Sequence, residues 1–295
     1  MAAITVTGLT KSYGSTDALK GISFEVATGE VFALLGPNGA GKTTTVEILE
    51  GYRDRDGGAV SVLGRDPARG GTRLREQIGI VLQECGIEEL LTVGEVARRQ
   101  AGYYPRPRPV DEVIGLVGLE DKIDARVRTL SGGQRRRLDL ALALVGDPEL
   151  VFLDEPTTGF DPAARRSAWE LVKRLCGFGK TIFLTTHYME EAQYLADRVA
   201  VIAKGRLVAE GSPDSIGGRN TGAARVRFTL PDGLPLSALP LPARRDDAYV
   251  VIEAADPTRQ LHVLTRWAID RGVELGGLTV TRPSLEDVYL ELVGQ

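Results

Sequence analysis

The sequence predicts an α/β fold in which helices cover both faces of a sheet, followed by a small α+β domain. Three observations carry this. The stretch Gly36 to Thr43 reads GPNGAGKT, a complete G-x-x-x-x-G-K-[ST] loop, and it directly follows the apolar run 31–35, giving strand, loop and helix in that order. Four short runs, 31–35, 78–82, 150–153 and 181–185, are continuously apolar or β-branched, as in parallel strands buried on both faces. The residues after these runs carry the unusual polar chemistry: the loop, Gln83, the pair Asp154 and Glu155, and His187. Open α/β sheets bind ligands at the carboxyl ends of their strands.

The 295 residues allow one large or two modest domains. A net charge of -4 with 43% hydrophobic and 26% charged residues is ordinary for a globular protein and argues against a dedicated nucleic-acid binder. No stretch approaches the ~20 apolar residues that cross a bilayer, and the N-terminus lacks the pattern of a signal peptide, so a cytoplasmic protein is expected. Cys85 and Cys176 are far apart in sequence and lack metal-ligand spacing, which reads as two reduced structural thiols.

In chain order, the glycines of the loop let backbone N–H groups converge on a polyphosphate. Lys42 can reach the β- and γ-phosphates, and the Thr43 hydroxyl can ligate Mg²⁺; a nucleoside triphosphate is the first ligand to expect. Between Gln83 and residue 145, helix-like pieces occur at Thr92 to Ala101 and Val110 to Val117. LSGGQ, 130–134, joins Ser131 and Gln134 in capping-box spacing ahead of an Arg-rich apolar helix. It reads either as a good helix start or as an anion-binding helix N-terminus. LVFLDE, 150–155, ends a buried strand in two acids, a costly arrangement without a cation or donors nearby. In a phosphate-loop NTPase Asp154 would hold Mg²⁺ and Glu155 would polarise water; a capping or salt-bridging pair is the structural alternative. Two alternating runs around Lys204-Gly205 predict a hairpin over 198–211 that closes the first domain.

A Gly/Ser/Asn-rich boundary leads from the first domain, 1–220, to the second, 221–295. There, strands are expected at Arg225 to Leu230, Tyr249 to Glu253 and Glu274 to Thr281, a helix at Thr258 to Arg271, and a loop at Pro231 to Pro242. In the last helix Ser284 precedes Asp287 in a capping box, and Leu285, Val288, Tyr289 and Leu292 form an apolar stripe. The stripe covers its own sheet or meets a partner.

The GPNGAGKT loop, Gln83, LSGGQ, LVFLDE, the TGFD segment Thr158 to Asp161, and His187 occur in the order and spacing of ABC-transporter nucleotide-binding domains, which residues 1–220 therefore resemble. The resemblance implies a P-loop NTPase domain with a mixed sheet and a helical subdomain at about 84–145. It further implies a head-to-tail dimer with a second copy, sandwiching two ATP molecules with Mg²⁺, docked on an integral membrane permease at the cytoplasmic face. Nucleotide would be bound by Tyr13 stacking on adenine, by Gly36, Pro37, Asn38, Gly39, Ala40, Gly41, Lys42, Thr43 and Thr44 of one copy, and by Ser131, Gly132, Gly133 and Gln134 of the other. Thr43, Gln83 and Asp154 would serve the metal, and Glu155, His187, Lys42 and Gln83 catalysis. His187 would contact the γ-phosphate, Gln83 would sense Mg²⁺, water and the membrane partner, and Asp161 would communicate between the two sites. Tyr13 also fits an ordinary exposed tyrosine at a strand end. Phe160 departs from the family's usual Leu.

The ending PSLEDVYLEL, Pro283 to Leu292, resembles the tail of daunorubicin-resistance-like ATPases paired with drug, lipid or polysaccharide exporters. An import ATPase with a regulatory C-terminal module, and a soluble non-transport ABC ATPase, are the competing expectations.

Overall fold

The computed structural model describes residues 2–81, 86–177, 179–218, 223–231 and 233–293. The chain forms two units, Met1–Pro213 and Asp214–Gln295. In the first, β1 (Ala2–Tyr13), β2 (Thr16–Ala27) and β4 (Gly57–Val62) make an antiparallel sheet in the order β2-β1-β4. This sheet is absent from the sequence reading above. Its long strands carry register shifts, between Val6 and Leu9 for example, and each shift breaks the two-residue alternation by which half-buried strands are recognised.

The second sheet of this unit has the order β5-β6-β7-β3-β8-β9. Its strands are β3 (Val31–Leu35), β5 (Ile78–Val81), β6 (Leu150–Asp154), β7 (Thr181–Thr186), β8 (Arg198–Ala203) and β9 (Arg206–Gly211). All neighbours are parallel except β8 and β9, the expected hairpin, so the sheet is mixed. Every residue of β3 and of β7 is buried. The aromatic core spans both sheets: Phe32 and Phe183 stack at 5.6 Å, and Phe24 of β2 stacks on Phe32 at 5.4 Å. Stacked rings add to area burial and fix how the sheets face each other.

Helices α1 (Lys42–Leu49), α2 (Pro67–Arg75), α6 (Pro162–Gly177) and α7 (Met189–Leu195) accompany these sheets. The expected helical insertion contains α3 (Val93–Ala101), α4 (Val110–Leu116) and α5 (Gly132–Leu144). Thr92 and Glu95 form a complete capping box at the start of α3, so its first orphan N–H groups are satisfied locally.

The second unit is a four-stranded antiparallel sheet, order β11-β12-β10-β13, from β10 (Ala224–Thr229), β11 (Arg244–Asp246), β12 (Tyr249–Ala254) and β13 (Gly276–Thr281). Helix α8 (Pro257–Arg271) packs on it through Leu264, against Val226, Phe228 and Ile252. In α9 (Leu285–Val293) Leu285 and Val288 are buried, and Ser284 and Asp287 make the expected reciprocal cap. The units divide seven residues before the sequence-based boundary at 220. Residues 216–218 go with the second unit because Ile216 is buried and this segment packs on α9. Leu82, Gln83 and Cys85 lie outside the described residues.

Candidate active site

The loop after β3 is shaped by two glycines that leave no room for a side chain. Gly41 sits at φ +112°, where a Cβ would lie 2.7 Å from Leu19 Cδ2 and 2.8 Å from Ala18 O. At Gly36 a Cβ would meet Ile202 O at 2.5 Å. The chain can therefore turn tightly into α1, whose N-terminus has no side-chain cap. Uncapped first-turn N–H groups are the donors that bind anions at helix ends.

Lys42 opens the helix and is buried. Its Nζ donates to Gly36 O at 2.8 Å and Pro37 O at 3.3 Å, and lies 3.8 Å from Glu155 Oε1. Burial pulls its pKa below the ordinary lysine value, opposed by the charges of Glu155 and Asp154. Asn38, Gly39, Gly41, Lys42, Thr43, Thr44 and Glu155 line a cleft of about 310 Å³. Tyr13 is not in that lining. It ends β1 with 41% exposure, its ring 5.2 Å from the Arg53 guanidinium and 5.7 Å from Lys11 Nζ.

Strand pairing sets the acids. Asp154 is in register with Thr185 of β7, and the Thr185 hydroxyl donates to Asp154 Oδ1 while accepting from the Glu155 N–H at 3.2 Å. Glu155 adopts φ +46°, a left-handed conformation that costs a non-glycine residue on the order of 1 kcal/mol or more. Its N–H is held by Thr185, donating to the Thr185 O at 3.1 Å as well as to the hydroxyl. Thr158 Oγ1 donates to Glu155 Oε2 at 3.1 Å, and His187 Nδ1 lies 3.3 Å from Glu155 Oε1, outside hydrogen-bond alignment.

The LSGGQ residues line a different cavity, of about 650 Å³, where Ser131, Gly132, Gly133 and Gln134 face Thr158, Phe160 and Asp161. Ser131 and Gln134 form the reciprocal capping box. Asp161 accepts the N–H groups of Ala163 and Ala164, both at 2.9 Å, and so caps α6. Lys42, Thr43, Thr44, Asp154, Glu155 and His187 thus come together through cleft and side-chain contacts, while the LSGGQ residues and Asp161 gather elsewhere.

Three residues at these sites have roles that sequence reasoning misses. Thr185 and Thr158 hold the acids, and Arg136 Nε and Nη2 donate to Pro156 O at 3.1 Å and Asp154 O at 3.2 Å. The Arg135–Arg137 run was visible, but only packing shows that Arg136 turns toward the acids while Arg135 pairs with Glu89 at 2.9 Å.

A fold with a phosphate-loop cleft at the strand ends and LSGGQ on an inserted helical segment defines an ATP-binding cassette. The family description "ABC transporter" matches residues 19–158, and "ABC transporter domain-containing protein-like, C-terminal domain" matches 224–284. The chain is 38% identical to the daunorubicin resistance ATP-binding protein DrrA3 of Streptomyces coeruleorubidus, over 99% of this chain and 96% of that protein. It is 42% identical to the Nod factor export ATP-binding protein I of Rhizobium sp. (strain N33), covering 99% and 97%. Among solved structures, cbiO1 of Clostridium perfringens, part of the ABC transporter complex cbiONQ, is 31% identical with a TM-score of 0.67, covering 72% of this chain and 90% of that one. A dimeric ATP-binding cassette in a post-hydrolysis state with ADP and Pi matches at 25% identity and a TM-score of 0.63, covering 71% and 98%. The chain belongs to the ABC transporter ATP-binding proteins. It binds ATP and hydrolyses it to drive transport.

Proposed function

We propose that this chain is the ATPase subunit of an exporter of a drug-like, lipid or polysaccharide cargo, working as a head-to-tail pair of copies on the cytoplasmic face of a membrane permease. The exporter reading is supported by likeness to a Nod factor export protein that runs through both units. The observation that carries the paired arrangement is the separation of the two phosphate-binding elements. Lys42 and Glu155 line one cavity and Ser131 to Gln134 another, so a second copy completes each ATP site.

In this arrangement Lys42 exchanges its contacts to Gly36 O and Pro37 O for the β- and γ-phosphates, and the α1 N-terminus takes the remaining phosphate charge. Thr43 and Asp154 supply hard oxygen donors of the kind Mg²⁺ takes together with phosphate oxygens and water. Mg²⁺ would neutralise charge developing on the phosphates. Glu155, held by Thr158, orients and polarises the attacking water, and His187 beside it contacts the transferred phosphoryl group. Gln83 is proposed to sense the metal and the permease, and Asp161 to link the two ATP sites. The permease would dock along the helical insertion, near the exposed Tyr52, Leu90 and Tyr103. No helix among the described residues is long and apolar enough to cross a membrane, so the permease supplies the translocation path.

The test is complementation between two inactive variants. Lys42→Ala removes the phosphate contact of its own site, and Ser131→Arg blocks the γ-phosphate contact offered to the other copy. A mixed dimer holds one intact composite site. ATPase activity of the mixture above that of both parents is expected; activity no higher than either parent would overturn the paired site.

A further inference from the structure

Glu191 is fully buried, 0% exposed, in the first turn of α7, four residues after His187. Its Oε1 accepts the Thr157 hydroxyl at 2.7 Å and the Trp169 indole N–H at 3.0 Å. Its Oε2 is buried with no hydrogen-bond partner among the described residues. One carboxylate therefore ties together three segments: the loop two residues past Glu155, helix α6 that opens just after Asp161, and helix α7 that opens just after His187. Further contacts join α6 to α7: the Arg165 guanidinium sits 4.3 Å from the Tyr188 ring, and Trp169 stacks on Tyr194 at 5.2 Å.

A buried, half-satisfied carboxylate is a poor source of stability, since desolvation offsets much of what its hydrogen bonds return and an apolar residue would fill the space at less cost. Its return is geometric. With Glu155 in a strained left-handed conformation and His187 Nδ1 only 3.3 Å from its carboxylate, a displacement of α7 changes that separation directly.

We propose that Glu191 is a positioning residue for ATP hydrolysis: by tying α7 to the loop after Glu155 and to α6 it fixes His187 against Glu155. The inference rests on the reading of Glu155 and His187 as the hydrolytic pair. It accounts for a buried acid that the chemistry itself does not use.

The full-length chain is assayed with MgATP as wild type, Glu191→Ala, Glu191→Gln, Thr157→Val, His187→Ala and the Glu191→Ala/His187→Ala double variant. Glu191→Ala is expected to lower kcat by about 10- to 100-fold, the scale of an ångström-level misplacement, with KM for ATP nearly unchanged. Glu191→Gln keeps an acceptor oxygen for Thr157 and Trp169 and should restore most of the rate. Because Glu191 acts through His187, the double variant should be no slower than His187→Ala alone. A double variant slowed by the product of the two single effects overturns the proposal, as does Glu191→Ala at the wild-type kcat when His187→Ala is slow. His187→Ala at the wild-type rate removes the hydrolytic pair, and this inference with it. If Glu191→Ala does not fold, Thr157→Val removes one donor at constant shape, and its rate loss must likewise vanish in the His187→Ala background.

Discussion

At the scale of single residues, charge in this protein is placed where burial makes it act. Glu50, at the C-terminal end of α1, is buried, and its Oε1 has no hydrogen-bond partner among the described residues. Burial first, then the charges of Asp154 and Glu47, push its carboxyl up to about 8 from an ordinary 4.5. The sign follows from linkage. Below pH 4.5 the group is protonated in both folded and unfolded chains; between 4.5 and about 8 only the unfolded chain releases the proton, so stability falls as pH rises. Glu50→Gln cannot ionise and should remove this loss. Its melting temperature should exceed that of the wild type by more at pH 8.5 than at pH 5, read by thermal denaturation at both values; an equal offset at the two would contradict the assignment. Glu50 was not legible in the sequence as a site. A glutamate at a helix end reads as solvated until the packing around it is known.

At the scale of elements, legibility followed the strength of the local signal. The strand, loop and helix from Val31 to Leu49 could be read from glycine spacing and an unbroken apolar run, and so could the 198–211 hairpin, where Lys204 and Gly205 both take positive φ. The β1, β2, β4 sheet could not, because its bulges scramble alternation. The acids Asp154 and Glu155 were visible as a pair, whereas the holding roles of Thr185 and Arg136 were not, since they reach Asp154 from 31 and 18 residues away, and Thr158 read only as the start of TGFD. The loop preceding α1 yields a sharp prediction. Gly41→Ala places a methyl group against Leu19 and Ala18 at a φ that L residues avoid. ATP affinity should fall about 5- to 150-fold, the equivalent of ~1–3 kcal/mol of local strain, while the melting temperature falls by a few degrees. Isothermal titration with ATP and a melting curve check it together; an unchanged affinity would mean the tight turn is not needed for phosphate binding.

At the scale of the whole molecule, the proposed ATP site is a property of two chains. In the proposed pair each copy would contribute the cleft of Lys42, Thr43 and Glu155, with Asp154 beside it, to one nucleotide and the α5 N-terminus to the other. The likeness to export proteins extends across the second unit as well, residues 224–284. Sequence order alone supplied the motif set, but the separation of the LSGGQ cavity from the Lys42 cleft became visible only in the fold. Glu155→Gln probes the shared ATP site itself. The substitution preserves size and polarity and removes the carboxylate proposed to polarise water, leaving Asp154 and Thr43 in place, so MgATP should bind and persist. Size-exclusion chromatography of this variant with MgATP, with phosphate release followed on the same sample, should show a long-lived dimer and hydrolysis slowed at least ~10²-fold, the scale for losing a general base. Slow hydrolysis by a chain that stays monomeric in MgATP, with or without its permease, would contradict the shared site.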